Sequence, residues 1–127
     1  GALVIISNRT MEKAEQLAAE FEGYGTVFAK SYEALAGLQF DIVINATSSS
    51  LSDELPPLPA GIFKPGALAY DMMYGKSTPF LRFAAQQGAA HLADGLGMLV
   101  EQAAAAFEKW RGVKPDTAPV IAKLRAL

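Results

Sequence analysis

Short apolar runs alternating with amphipathic stretches predict an α/β chain: a doubly wound parallel sheet with helices on both faces. Leu3-Val4-Ile5-Ile6, Thr26-Val27-Phe28-Ala29 and Phe40-Asp41-Ile42-Val43-Ile44-Asn45 read as short strands of the buried parallel kind. Helix starts and stops of ordinary type fall between such runs. Several runs also end in small polar residues, as strands do where an open α/β sheet binds its ligand at the carboxyl edge.

Taken in order, the strand at 3–6 is followed by Thr10, a helix cap, with Glu12 in the first turn. Met11, Ala14, Leu17, Ala18 and Phe21 then fall at helical spacing and predict a packed face. Gly23 and Gly25 end this helix before the second strand, 26–29. Ser31 opens a brief helical segment through Leu35. The third strand, 40–45, gives way to Ala46-Thr47-Ser48-Ser49-Ser50, and Pro56-Pro57-Leu58-Pro59 to Lys64-Pro65-Gly66 is too rich in proline for regular structure. A fourth strand is expected at 67–72, then a loop through Met73-Tyr74-Gly75-Lys76-Ser77. Thr78-Pro79 starts a helix whose buried side is Phe80, Leu81, Phe83 and Ala84, and Gly88 stops it. A short piece at 90–93 leads to Asp94-Gly95-Leu96-Gly97-Met98 and the longest helix, with an expected core stripe of Leu96, Leu99, Val100, Ala103, Phe107 and Trp110. Pro115-Asp116 introduces a last helix carrying Val120, Ile121, Leu124 and Leu127, with Pro119 in its first turn.

A chain of 127 residues is long enough for one domain with a core. Its net charge of −2 supplies no basic field for nucleic acid, and its apolar runs are too short and interrupted to span a membrane. With no cysteine there is neither a disulfide framework nor a thiolate metal site, as suits a cytoplasmic protein. No metal site is expected.

The chemistry begins at the end of the first strand. Where a dinucleotide-binding sheet that uses NAD places an acid after its second strand, this chain has Asn8 and Arg9, with Lys13 on the following helix. A guanidinium fits phosphate oxygens as a planar charged fork, and the ammonium adds a second positive charge. The pattern points to the 2′-phosphate of NADP; two ordinary solvated cations would give the same spacing.

Four ordered motifs narrow this. Asn8-Arg9-Thr10, Asn45-Ala46-Thr47-Ser48, Tyr70-Asp71-Met72-Met73-Tyr74 with Thr78-Pro79-Phe80, and Ala93-Asp94-Gly95-Leu96-Gly97-Met98-Leu99-Val100-Glu101-Gln102 together resemble the shikimate dehydrogenase family. The chain is similar to the carboxyl-terminal, NADP-binding half of such an enzyme, which reduces 3-dehydroshikimate to shikimate reversibly. The resemblance implies a Rossmann-like fold in which residues 1–127 form the cofactor domain and the helices within 96–127 close it. It implies that Asn8, Arg9, Thr10 and Lys13 surround the adenosine 2′-phosphate, and that Thr47, Met72, Gly95 and Met98 lie along the nicotinamide and its ribose. Tyr74 and Gln102 match the residues that reach shikimate from the cofactor domain; a phenol and an amide hold hydroxyl groups without adding charge. Read without the family, Met98 is equally a core methionine, Tyr74 a half-buried loop aromatic and Gln102 a solvated helix residue. Lys13 replaces the arginine common in relatives, and Ser48-Ser49-Ser50 replaces glycines often found there. His91, the lone histidine, matches no catalytic position and is read as structural.

Two features of the family are missing from the residues in hand. No glycine-rich turn of the GxGxxG type occurs, since Gly95-x-Gly97 comes too late and lacks a third glycine. The family's catalytic lysine and aspartate belong to an amino-terminal substrate domain. The chain is therefore expected to be a fragment, inactive alone, with no catalytic residue of its own and a sheet lacking its first, central strand. The unpaired edges this leaves favour a partner chain, such as the missing substrate domain, or a homo-oligomer. A quinate/shikimate dehydrogenase relative and a noncatalytic binding or assembly module are the alternative readings.

Overall fold

β1 (Leu3–Ile6) and β2 (Thr26–Ala29) pair in parallel, joined by helix α1 (Met11–Glu20), which packs back on both. β3 (Phe40–Asn45), β4 (Phe63–Asp71) and β5 (His91–Asp94) form a second parallel sheet in that order. Helix α2 (Pro79–Gln86) crosses from β4 to β5, and α3 (Leu96–Arg111) and α4 (Ala118–Arg125) follow. These assignments come from a computed structural model that describes residues 1–75 and 77–127, leaving aside the side chains of Ser50 and Leu51. Lys76, within the expected loop at 73–77, lies outside the described residues.

Parallel pairing with helical crossovers is the doubly wound, Rossmann-like architecture expected. β1 and β3 do not hydrogen-bond to each other. Between them runs a cleft of about 130 Å³, lined by Ile5 and Ser7 of the first pair and by Phe40 and residues 42–45 of the second sheet. Ile42 and Ile44 are 57% and 59% exposed, although their strand has the composition of a fully buried one.

The core lies under the second sheet. Phe80 and Ala84 of α2 meet Ala67 and Ala69 of β4, and Ile62, Phe63, Tyr32 and Leu35 complete the cluster. The helix starts because Thr78 Oγ1 accepts from the Leu81 amide at 3.2 Å and Pro79 has no amide to satisfy. It stops at Gly88, whose φ of 85° suits a residue without Cβ.

Several expectations need correction. β4 begins at Phe63, through Pro65-Gly66, because Phe63 pairs with Phe40 across a bulge in the register. β5 ends at Asp94 rather than Ala93, since Asp71 and Asp94 are register partners. Thr10 occupies the cap position of α1 without a side-chain bond; Asn8 Oδ1 accepts from the Thr10 amide instead, at 3.0 Å. Of the stripe expected on α3, only Leu96 and Val100 are buried. Leu96, Val100 and Ala104, one turn apart, are buried, whereas Leu99, Ala103, Phe107 and Trp110 are exposed, Trp110 at 81%. On α1 only Ala14 and Ala18 are buried, and α4 buries no residue. Periodicity identifies a helix's apolar face without saying what covers it.

Candidate functional site

Register brings the strand ends together. Asn45 pairs with Asp71 and Asp71 with Asp94, so the residues just beyond them, Thr47, Met72 and Gly95, leave one carboxyl edge side by side. A polar network fixes this edge. Thr78 Oγ1 donates to Asp71 Oδ2 at 2.6 Å, Asn45 Nδ2 donates to the same oxygen at 3.5 Å, and Asp71 Oδ1 accepts from the Met73 amide at 3.0 Å. Asn45 Oδ1 in turn accepts from the Thr47 hydroxyl at 2.7 Å and from its amide at 3.2 Å. Asn45, Asp71 and Thr78 are all buried, so the network sets the backbone at this edge, and Asn45 and Thr47 also line the cleft.

Gly95 follows β5 at the same edge, against the end of β4. Its amide donates to the Met73 carbonyl at 2.9 Å, and a Cβ at this position would collide with the carbonyl oxygen of Met72. The glycine is thus required first by the chain's own backbone. Met98 and Gln102 follow on α3 one turn apart, Met98 half-buried and Gln102 exposed; Tyr74 is half-exposed beyond the end of β4.

Across the cleft, β1 delivers Asn8, Arg9 and Thr10, and the first turn of α1 delivers Lys13. Arg9, Thr10 and Lys13 are exposed, and among the described residues neither cation forms an ion pair. Burial pushes the Tyr32 phenol above its ordinary range, and the nearby charge of Arg9 opposes that shift. Thr47, Met72 and Gly95 thus follow the ends of β3, β4 and β5, with Tyr74 beyond β4 and Met98 and Gln102 on α3, while Asn8, Arg9, Thr10 and Lys13 follow β1; of these candidates Thr47 lines the cleft. His91 is exposed on β5 and takes part in none of this. Among the described residues no group of acidic or histidine side chains could hold a metal ion.

Two family models match the chain: "Shikimate / quinate 5-dehydrogenase" over residues 2–52 and "Shikimate 5'-dehydrogenase C-terminal domain" over residues 95–125. A shikimate dehydrogenase (NADP(+)) of Nitrosospira multiformis is 60% identical over 126 residues, which is 98% of this chain and 46% of that protein. The chain belongs to the shikimate dehydrogenase family. It spans just under half the length of such curated relatives. Among solved structures, the Ael1 enzyme from Pseudomonas putida has a TM-score of 0.85 at 56% identity, covering 96% of this chain and 45% of that one. Shikimate 5-dehydrogenase from Thermus thermophilus, in complex with NADP(H) and shikimate, has a TM-score of 0.79 at 33% identity, covering 99% and 46%.

One interaction at the site left no readable mark in the sequence. Arg125, in the last turn of α4, reaches Asp94 with Nη1 at 2.6 Å from Oδ2 and Nη2 at 2.7 Å from Oδ1. That bidentate contact holds the Asp94 carboxyl below the usual carboxylate range and raises the pKa of Arg125 above its usual value. A basic residue near the end of a helix is too common to announce a partner 31 positions away.

Proposed function

We propose that this chain is the cofactor-binding part of an NADP-dependent shikimate dehydrogenase, an oxidoreductase of aromatic amino acid biosynthesis. Arg9 is the observation that carries the reading: an exposed guanidinium at the carboxyl end of a parallel strand, free of any acidic partner among the described residues, where an NAD-binding sheet would use an acid. With Asn8, Thr10 and Lys13 it would surround the adenosine 2′-phosphate. Thr47, Met72, Gly95 and Met98 would lie along the nicotinamide end, and Tyr74 and Gln102 would meet shikimate or 3-dehydroshikimate. The bound cofactor supplies the hydride. This chain's residues bind and orient it.

The proton donor and the glycine-rich phosphate turn belong, in this reading, to the rest of a longer polypeptide, so these residues alone are inactive. In the full-length enzyme Arg9→Ala weakens NADPH by about ten- to a hundredfold, as expected for loss of a hydrogen bond to a charged group worth about 1.5–3 kcal/mol. NADH, which has no 2′-phosphate, changes little. Steady-state kinetics with both cofactors checks this; equal losses overturn it. Quinate is the second substrate to test, because the family description matched over residues 2–52 covers both acids.

A further inference from the structure

We infer that Arg125 is a positioning residue: from the last helix it holds the Asp94–Gly95 turn in place at the nicotinamide end of the site, and thereby sets the rate of the chemical step without touching cofactor or substrate. The inference rests on the cofactor reading above. Asp94 is the junction. Its Oδ1 accepts from the Leu96 amide at 3.1 Å, which fixes the first turn of α3, while the guanidinium fork of Arg125 occupies both carboxyl oxygens. Gly95, the next residue, is bonded to Met73 and pressed against the Met72 carbonyl. A rotation of the Asp94 carboxyl therefore moves the α3 start and the β4 end together.

α4 packs against α3 but leaves even its apolar residues at most half-buried, so its polar contacts weigh heavily in its placement. It is tied at both ends by polar contacts. Thr117 Oγ1 donates to Glu101 Oε1 at 2.5 Å at its start, and Arg125 grips Asp94 at its finish. The helix thus lies against α3 between Glu101 and Asp94.

The test uses the full-length enzyme, with three readouts. Arg125→Ala lowers kcat for 3-dehydroshikimate reduction about tenfold and enlarges the isotope effect from deuterated NADPH, because a loosened turn misplaces the reacting ring. The KM for NADPH changes less than about twofold, and 2′,5′-ADP, which carries only the adenosine end, binds as before. Arg125→Lys restores part of the lost kcat, since one charged donor remains. Asp94→Asn, which keeps the oxygen facing Leu96 and loses the charged partner, reproduces the defect, and the double variant is no slower than Arg125→Ala. A lowered Tm with kcat unchanged, or additive losses in the double variant, overturns the inference. Failure of the unmodified enzyme to bind 2′,5′-ADP overturns the cofactor reading itself, whatever the variants do.

Discussion

Gly95 sits where the end of β5 passes the end of β4, and a Cβ there would overlap the Met72 carbonyl. The neighbouring atom is backbone, held by the Met72 amide bond to the Asn45 carbonyl at 3.1 Å, so it cannot step aside as a flexible side chain would. Gly95→Ala is therefore expected to cost about 1–3 kcal/mol, the range for overpacking a tight site. It should also raise the KM for NADPH, since Met72 moves with the collision. Thermal unfolding and cofactor titration of the full-length enzyme check this together. Gly97 provides an internal control: nothing lies within 4 Å of a Cβ built there, and Gly97→Ala, inside a helix, should be neutral or slightly stabilising. The sequence singled out Gly95 through its motif, but the reason for the glycine, a carbonyl at the end of the preceding strand, could not be read from local residues.

The elements themselves were legible where local chemistry dictates them. β2 and β3 occupy the residues their β-branched runs mark, and Thr78-Pro79 starts α2 as a cap and first-turn proline should. What escaped were tertiary features: the pairing that extends β4 back to Phe63, and the exposure of Leu99, Phe107 and Trp110. Thr78 shows both kinds of information. Its cap to Leu81 is implicit in the sequence; its second bond, to buried Asp71, is not. Thr78→Ala should accordingly cost more than the ~1 kcal/mol of an ordinary cap, about 2–3 kcal/mol, because a donor to a buried carboxyl is lost as well. Thr78→Ser should recover most of it; denaturant midpoints of the full-length enzyme give the comparison. The Arg125–Asp94 clamp adds a pH dependence. The carboxyl's pKa is depressed in the folded chain, so the clamp's contribution is fully present above the ordinary carboxylate range and is lost as pH falls through the lowered value. Hydrogen exchange should show α4 amides still protected at mildly acid pH and released in stronger acid. Asp94→Asn should remove the acid step.

At the scale of the whole molecule the order β2-β1, cleft, β3-β4-β5 is that of a doubly wound sheet opened at its centre. Both strands flanking the cleft present an unpaired backbone edge, and Ile42 and Ile44 stand exposed beside it. Such an edge recruits another strand, and a net charge of only −2 does little to keep copies apart. These 127 residues, produced alone, are therefore expected to associate with rising concentration in light scattering and to bind a hydrophobic dye. Ile44→Lys places a charge on the cleft's edge at a position already exposed, so it should reduce association without unfolding the Phe80 core. A synthetic peptide with an apolar strand followed by a glycine-rich turn should compete with self-association, entering as the central strand between β1 and β3 and bringing the backbone amides that bind pyrophosphate. A concentration-independent monomer that unfolds cooperatively and ignores the peptide would mean that the cleft is closed by the chain's own packing, and the open-sheet reading would then be wrong.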